Sequence, residues 1–211
     1  MATTTNYSWT TPDNTAYVKD GASAIRTLGS SVDTTLFTAL GGTYPGLRLV
    51  KKQTIGNGVS TVSVTNAFSA TYDAYRIVLV GGTTSTAEAI NFQLGPTSVS
   101  QYNSQYYSNL IFASIAGGSV TAIGTGATSS FPYVVYSEGA NGYNTFFDVV
   151  SPFATKYAQV SGSRGGINAS SNVGTHNGFH NSLNSFSGFQ LFTSSGTMTG
   201  GTIYVYGYGA S

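Results

Sequence analysis

The sequence predicts a mainly β protein: an antiparallel β-sandwich of jelly-roll type over residues 43–211, preceded by a short extended and helical segment over residues 1–42. Three observations predict it. From Leu47 onward, polar and apolar residues alternate with period two. Gly-, Ser- and Asn-rich stretches punctuate that part at short intervals, with no helical stretch between them. Ahead of it, residues 10–40 alone carry a helical rhythm.

In that rhythm Val18, Ile25, Val32 and Ala39 recur every seven residues, and Leu28, Leu36 and Leu40 widen the face. A seven-residue apolar repeat keeps one stripe toward a partner as a helix winds. The stripe is thin and is interrupted by Gly21 and Gly29, so two short helices are expected, ordered by attachment or oligomerisation. Thr11-Pro12-Asp13 reads as the helix start: a capping hydroxyl, a proline suited to the first turn and an acid at the positive end of the dipole. Trp9, the only tryptophan, is expected either to pack on this helix or to plug a partner's pocket. The attachment set is therefore Trp9, Val18, Ile25, Leu28, Val32 and Leu36, with Arg26 and Asp33 as flanking charges.

Gly41-Gly42 and Thr43-Tyr44-Pro45-Gly46 mark the boundary. Two alternating runs follow, joined through Asn57-Gly58, a sequence that favours a tight hairpin. The continuous apolar run 75–80 reads as a central strand buried on both faces, in which Arg76 would need a partner such as Asp73 or Asp148. Further strands are expected over 89–94, 108–115, 131–136, 145–150, 156–161, 188–193 and 202–207, and a long surface loop over 165–184. In the last strand Ile203 and Val205 either seal the core with Tyr204 and Tyr206 on the opposite face, or belong to a core strand buried on both sides.

Composition narrows the function. Only 7 % of residues are charged, against about 25 % in ordinary domains, and the net charge is +1. Such a surface has no electrostatic footprint for nucleic acid. Cysteine is absent, which excludes disulfides and thiolate chemistry. No apolar run reaches the ~20 residues of a membrane span, and no basic-then-apolar leader opens the chain. Neither membrane insertion nor secretion is expected; synthesis in a cytoplasm is.

Candidate chemistry is sparse. His176 and His180 are four apart, a metal-binding spacing on a helix, but they lie in a Gly- and Asn-rich stretch and read as exposed loop residues. Glu138 and Asp148 are the candidate acid pair for glycan cleavage, with no nucleophile motif or phosphate loop to support an enzyme. The expectation is no catalytic residue, no cofactor and no metal. Tyr102, Tyr106, Tyr107 and Tyr143 lie among Asn, Ser and Gln, a composition suited to receptor contact and equally to a polar β protein with few charges.

Several stretches resemble tailed-bacteriophage virion proteins. Near the N-terminus these are Tyr-Ser-Trp-Thr-Thr-Pro-Asp-Asn-Thr at 7–15, Val-Lys-Asp-Gly-Ala at 18–22 and Ala-Ile-Arg-Thr-Leu-Gly-Ser-Ser-Val-Asp at 24–33. In the β part they are Ala-Tyr-Arg-Ile-Val-Leu-Val-Gly-Gly at 74–82, Asn-Phe-Gln-Leu-Gly at 91–95, Ser-Pro-Phe-Ala-Thr-Lys-Tyr at 151–157 and Gly-Gly-Thr-Ile-Tyr-Val-Tyr-Gly-Tyr at 200–208. The resemblance implies a tail fibre, minor tail protein or head appendage, resident in the virion. It implies a homo-oligomer, most often a trimer, docked to other tail or capsid proteins and facing a host-surface glycan or protein. It brings no catalytic residues. The expected function is a tail-fibre-type appendage; the alternatives are capsid decoration and glycan cleavage.

Overall fold

The computed structural model describes residues 2–12, 17–39, 46–95, 104–164 and 172–209, without the side chains of Ala39 and Glu138. The chain divides into two compact units, Met1–Gly46 with Gly209–Ser211, and Leu47–Tyr208. Among the described residues no helix is long and apolar enough to cross a membrane.

In the first unit β1 (Ala2–Thr3) and β2 (Thr10–Thr11) form a small antiparallel ribbon. A 3-10 turn over Val18–Asp20 leads into one α-helix, α1 (Gly21–Ala39). The helix therefore does not start at Thr11, which pairs with Ala2 instead, and Gly29 does not break it. Thr27, Ser31 and Thr34 donate their hydroxyls to carbonyls four residues back, which satisfies these polar side chains within the helix.

The second unit is an antiparallel β-sandwich. Its large sheet holds β3 (Leu47–Thr54), β15 (Thr202–Tyr208), β5 (Ala74–Thr84), β10 (Tyr143–Val150), β11 (Ala158–Arg164), β12 (Asn172–His180), β7 (Tyr106–Ser114) and β8 (Val120–Thr128) in that order, with β14 (Met198–Thr199) beside β5. The small sheet runs β4 (Thr61–Val64), β13 (Gly188–Thr193), β6 (Ala87–Gly95), β9 (Phe131–Glu138). Eight strands pair by nesting: β3 with β15, β4 with β13, β5 with β10, β6 with β9. First meets last, and the pairs close inward to the middle. The strands β7, β8, β11 and β12 fall between nested strands in sequence and extend only the large sheet.

Asn57-Gly58 does not close a hairpin. β3 lies in one sheet and β4 in the other, so this segment is a crossing between layers. β5 alternates between buried and partly exposed residues rather than being buried on both faces. Its inner side chains Tyr75, Ile77 and Leu79 join Phe92, Phe147, Phe189, Ile203 and Val205 in one core between the sheets. Phe92 of the small sheet meets Phe147 of the large one edge to face at 5.1 Å. β15 is the one-sided alternative, with Ile203 and Val205 buried and its tyrosines turned outward.

The two edges of the large sheet differ. β3 carries Arg48, Lys51 and Lys52, and Lys51 donates to the Thr65 carbonyl. Charge on an edge strand discourages pairing with another chain. β8, Val-Thr-Ala-Ile-Gly-Thr-Gly-Ala-Thr, carries none.

Candidate functional site

Period-two alternation gives the large sheet an outer face as distinctive as its core. A polar row crosses its middle. Arg76 of β5 stands opposite Asp148 of β10, and its Nε and Nη2 donate to the two carboxylate oxygens at 2.8 Å each. Tyr208 donates its hydroxyl to the same carboxylate at 2.7 Å. The guanidinium also lies over the Phe146 ring, 5.1 Å from its centre, and near Tyr208 at 5.6 Å. Burial alone would push the Asp148 carboxyl up; the hydrogen bonds from Arg76 and Tyr208 outweigh it and hold the group below its usual value. The row continues through Ser161, which donates to the Asn177 amide oxygen at 2.7 Å, to Asn109 of β7.

Apolar bands flank this row. On one side Val80, Phe146, Val173, Ile111 and Val120 are exposed. There β10 and β11 separate: backbone register ends at Phe147 opposite Gly162, and Thr145 instead donates its hydroxyl to the Ser163 carbonyl at 2.8 Å. The separation leaves a cleft of about 490 Å³ lined by Val78, Val80, Phe146 and Val173. On the other side Tyr107 stacks on Phe179 at 5.2 Å, with Tyr157 and Val150 beside them in exposed positions. The small sheet presents a different outer face. Glu88 accepts from the Ser194 and Ser195 backbone and from the Ser195 hydroxyl, and Gln190 donates to Gln93.

The inner face of β11 and β12 holds three bulky polar side chains, each opposite a small residue. Arg164 faces Gly174, His176 faces Gly162 and His180 faces Ala158. Arg164 is only 4 % exposed and is surrounded by the rings of Phe112, Tyr133 and Tyr136. Tyr133 itself has φ 60, a strained value for an aromatic residue, and its N–H is held by the Asn91 side chain at 3.1 Å. His176 packs edge-on against Phe147, and neither ring nitrogen meets a hydrogen-bond partner among the described residues. Burial, reinforced by the Arg164 charge, pushes its pKa down to about 4. His180 lies between Tyr106 and Phe186 with Nδ1 against the Ser182 hydroxyl. These histidines are thus strand residues in the core, not exposed loop residues. The glycines that made this stretch look like a loop, Gly174 and Gly178, let β12 lie close against Ile111, Phe112 and Phe131, while the His176 ring takes the space left by Gly162 of β11. Among the described residues no group of three or more His, Cys, Asp or Glu is placed to hold a metal.

In the first unit Trp9 packs on α1: its indole N–H donates to Thr35 Oγ1 at 2.9 Å and its ring stacks on Tyr7. Leu28 and Val32 are half-buried, while Val18, Ile25 and Leu36 are exposed. Part of the seven-spaced stripe is therefore uncovered.

The four tyrosines do not form one patch. Tyr106 is fully buried, with its hydroxyl bonded to the Leu94 N–H and carbonyl, and burial raises its pKa. Tyr143 is buried against Gly82, where a Cβ would fall 2.1 Å from its hydroxyl, and its pKa is pushed up to about 12. Both serve the core rather than an outer contact surface. Only Tyr107 reaches the outer face, and Tyr102 lies outside the described residues. Of the acid pair, Asp148 belongs to the large sheet, bound by Arg76, while Glu138 ends a strand of the small sheet. The outer face was overlooked in sequence because each exposed residue there reads singly as one half of an alternating strand. No protein-family model matches this chain, and no curated protein is significantly similar to it.

Proposed function

We propose that this chain is a structural protein of a tailed-bacteriophage virion. It is a tail-fibre-type appendage whose N-terminal unit docks it to the particle and whose β unit, a jelly roll, faces the host surface. The observation that carries this reading is the nested pairing of eight strands across two sheets. A long hairpin wrapped in this way is the jelly-roll arrangement, which recurs in viral shell and carbohydrate-binding domains. Fold alone hosts many functions; the resemblance of the N-terminal stretches to phage virion proteins supplies the narrower reading. The low charge and the partly uncovered α1 stripe support a protein that works in assemblies, and the resemblance implies a homo-oligomer, most often a trimer.

A capsid decoration or head-fibre role draws on one specific observation, the broad apolar outer face of the large sheet, which would then lie on the shell. The two roles separate in a competition experiment. Purified full-length chain is expected to block adsorption of the particle to its host as its concentration rises. Chain that leaves adsorption unchanged, yet protects emptied shells from disruption, would replace the fibre reading with the decoration reading.

A further inference from the structure

We propose that the outer face of the large sheet is the contact between copies of this chain. The inference rests on reading the chain as a homo-oligomer and assigns the subunit contact to the β unit. Ten large apolar side chains of this face, the eight exposed ones in the two bands with Leu47 and Leu49 opposite Tyr208 and Tyr206 on β3, are each at least 39 % exposed, Val120 at 71 % being the extreme. With full side-chain areas of about 150–250 Å² for the aromatic ones and somewhat less for the aliphatic ones, they leave on the order of 800 Å² uncovered, the area a standard interface takes from each partner.

Charge identifies the occupant. The middle of the face holds one cation and one anion, Arg76 and Asp148, and they already satisfy each other in plane, with Tyr208 completing the carboxylate. A buried ion pair is tolerated when its partners are in place beforehand. A strongly charged partner would gain nothing from this face. Across the middle of the face a second copy presents the same balanced pair and adds no net charge there; Lys52, over the Tyr204 ring, sits at the β3 edge. The Ser161–Asn177 hydrogen bond likewise leaves that part of the polar row internally bonded before contact. The small sheet's outer side carries polar groups that are already bonded, Glu88 to Ser194 and Ser195 and Gln190 to the buried Gln93.

The test is the mass of the full-length chain by light scattering, for four proteins. The wild type is expected to exceed its 21.9 kDa monomer mass. Val173→Glu with Ile111→Glu places charge in one band, and Val150→Lys with Phe179→Lys places it in the other. Each is expected to fall to 21.9 kDa while keeping the wild-type far-UV circular dichroism. The two pairs share β12 but lie in opposite bands of the face, toward its two ends, so one that unfolds leaves the other to decide. Ile25→Glu with Leu36→Glu tests α1. If folded sheet variants keep the wild-type mass while the helix variant dissociates, the sheet contact is wrong and the homo-oligomer reading stands. A monomeric wild type would overturn both.

Discussion

Arg76 and Asp148 face each other across β5 and β10 and are joined by two hydrogen bonds of 2.8 Å, with Tyr208 bound to the same carboxylate. The pair is partly exposed, so its contribution is modest: Asp148→Asn is expected to cost about 0.5–1 kcal/mol at neutral pH. The folded Asp148 pKa lies below its usual 3.8, so the contribution is present above that value and is lost as pH falls through the lower folded pKa. Urea midpoints from neutral pH down to acid should converge for wild type and variant. Midpoints that differ equally at every pH would assign the effect to shape rather than charge.

His176 makes the fold acid-sensitive. Its ordinary pKa is 6.5 and burial lowers it to about 4. As pH falls between those values the unfolded chain takes up a proton that the folded chain refuses, so stability is full above 6.5 and declines below it. The loss approaches about 3 kcal/mol. His180 is shifted the same way, again by burial, and adds to the decline. His176→Leu fills similar volume without the titrating ring. Urea unfolding at about pH 7, above that window, and at about pH 4.5, near its acid end, is expected to show a smaller difference for the variant.

Gly162 is a packing glycine, not a turn. A Cβ there would meet Phe147 Cβ at 2.3 Å and His176 Cε1 at 2.8 Å, so Gly162→Ala is expected to destabilise by about 2–3 kcal/mol. Gly124 on the edge strand β8 has nothing within 4 Å of its Cβ position, and Gly124→Ala is expected to leave the thermal midpoint within a degree or two. Equal effects would mean that the His176–Gly162 pairing does not hold β11 and β12 together.

Trp9, as the only tryptophan, reports on the N-terminal unit alone. Thr35→Val removes the acceptor for its indole N–H while keeping the shape, at a cost of about 1 kcal/mol. The fluorescence transition of Trp9 should move to lower denaturant, and the far-UV β signal should not. A shift in both would mean that the units unfold together.

The broad class was legible because β-sandwich alternation is local: Ile203 and Val205 against Tyr204 and Tyr206 can be read from four residues. Partnership across the sheet was not. The segment around Asn57-Gly58 has hairpin chemistry, yet the core needs β3 and β4 in opposite layers, and layer assignment is a long-range decision. β12 was missed for a related reason. Gly174 and Gly178 weaken any strand signal, and their purpose appears only beside β7 and β11: a Cβ on Gly174 would meet the Ile111 carbonyl at 2.0 Å, and one on Gly178 would press on Phe131. Tyr106 and Tyr107 are adjacent in sequence but face opposite sides of β7, so a composition argument could not separate the core residue from the surface one. Arg76 was flagged as needing a partner, and of its two candidates the cross-strand Asp148 is the one that meets it.

The proposed virion role is tested most directly on virus particles purified by density banding from cells that produce the chain from its native genome. Antibody raised against the β unit is expected to bind those particles and to mark the tail in electron micrographs. Banded particles that lack the chain, both by antibody and by peptide mass spectrometry, would contradict the assignment.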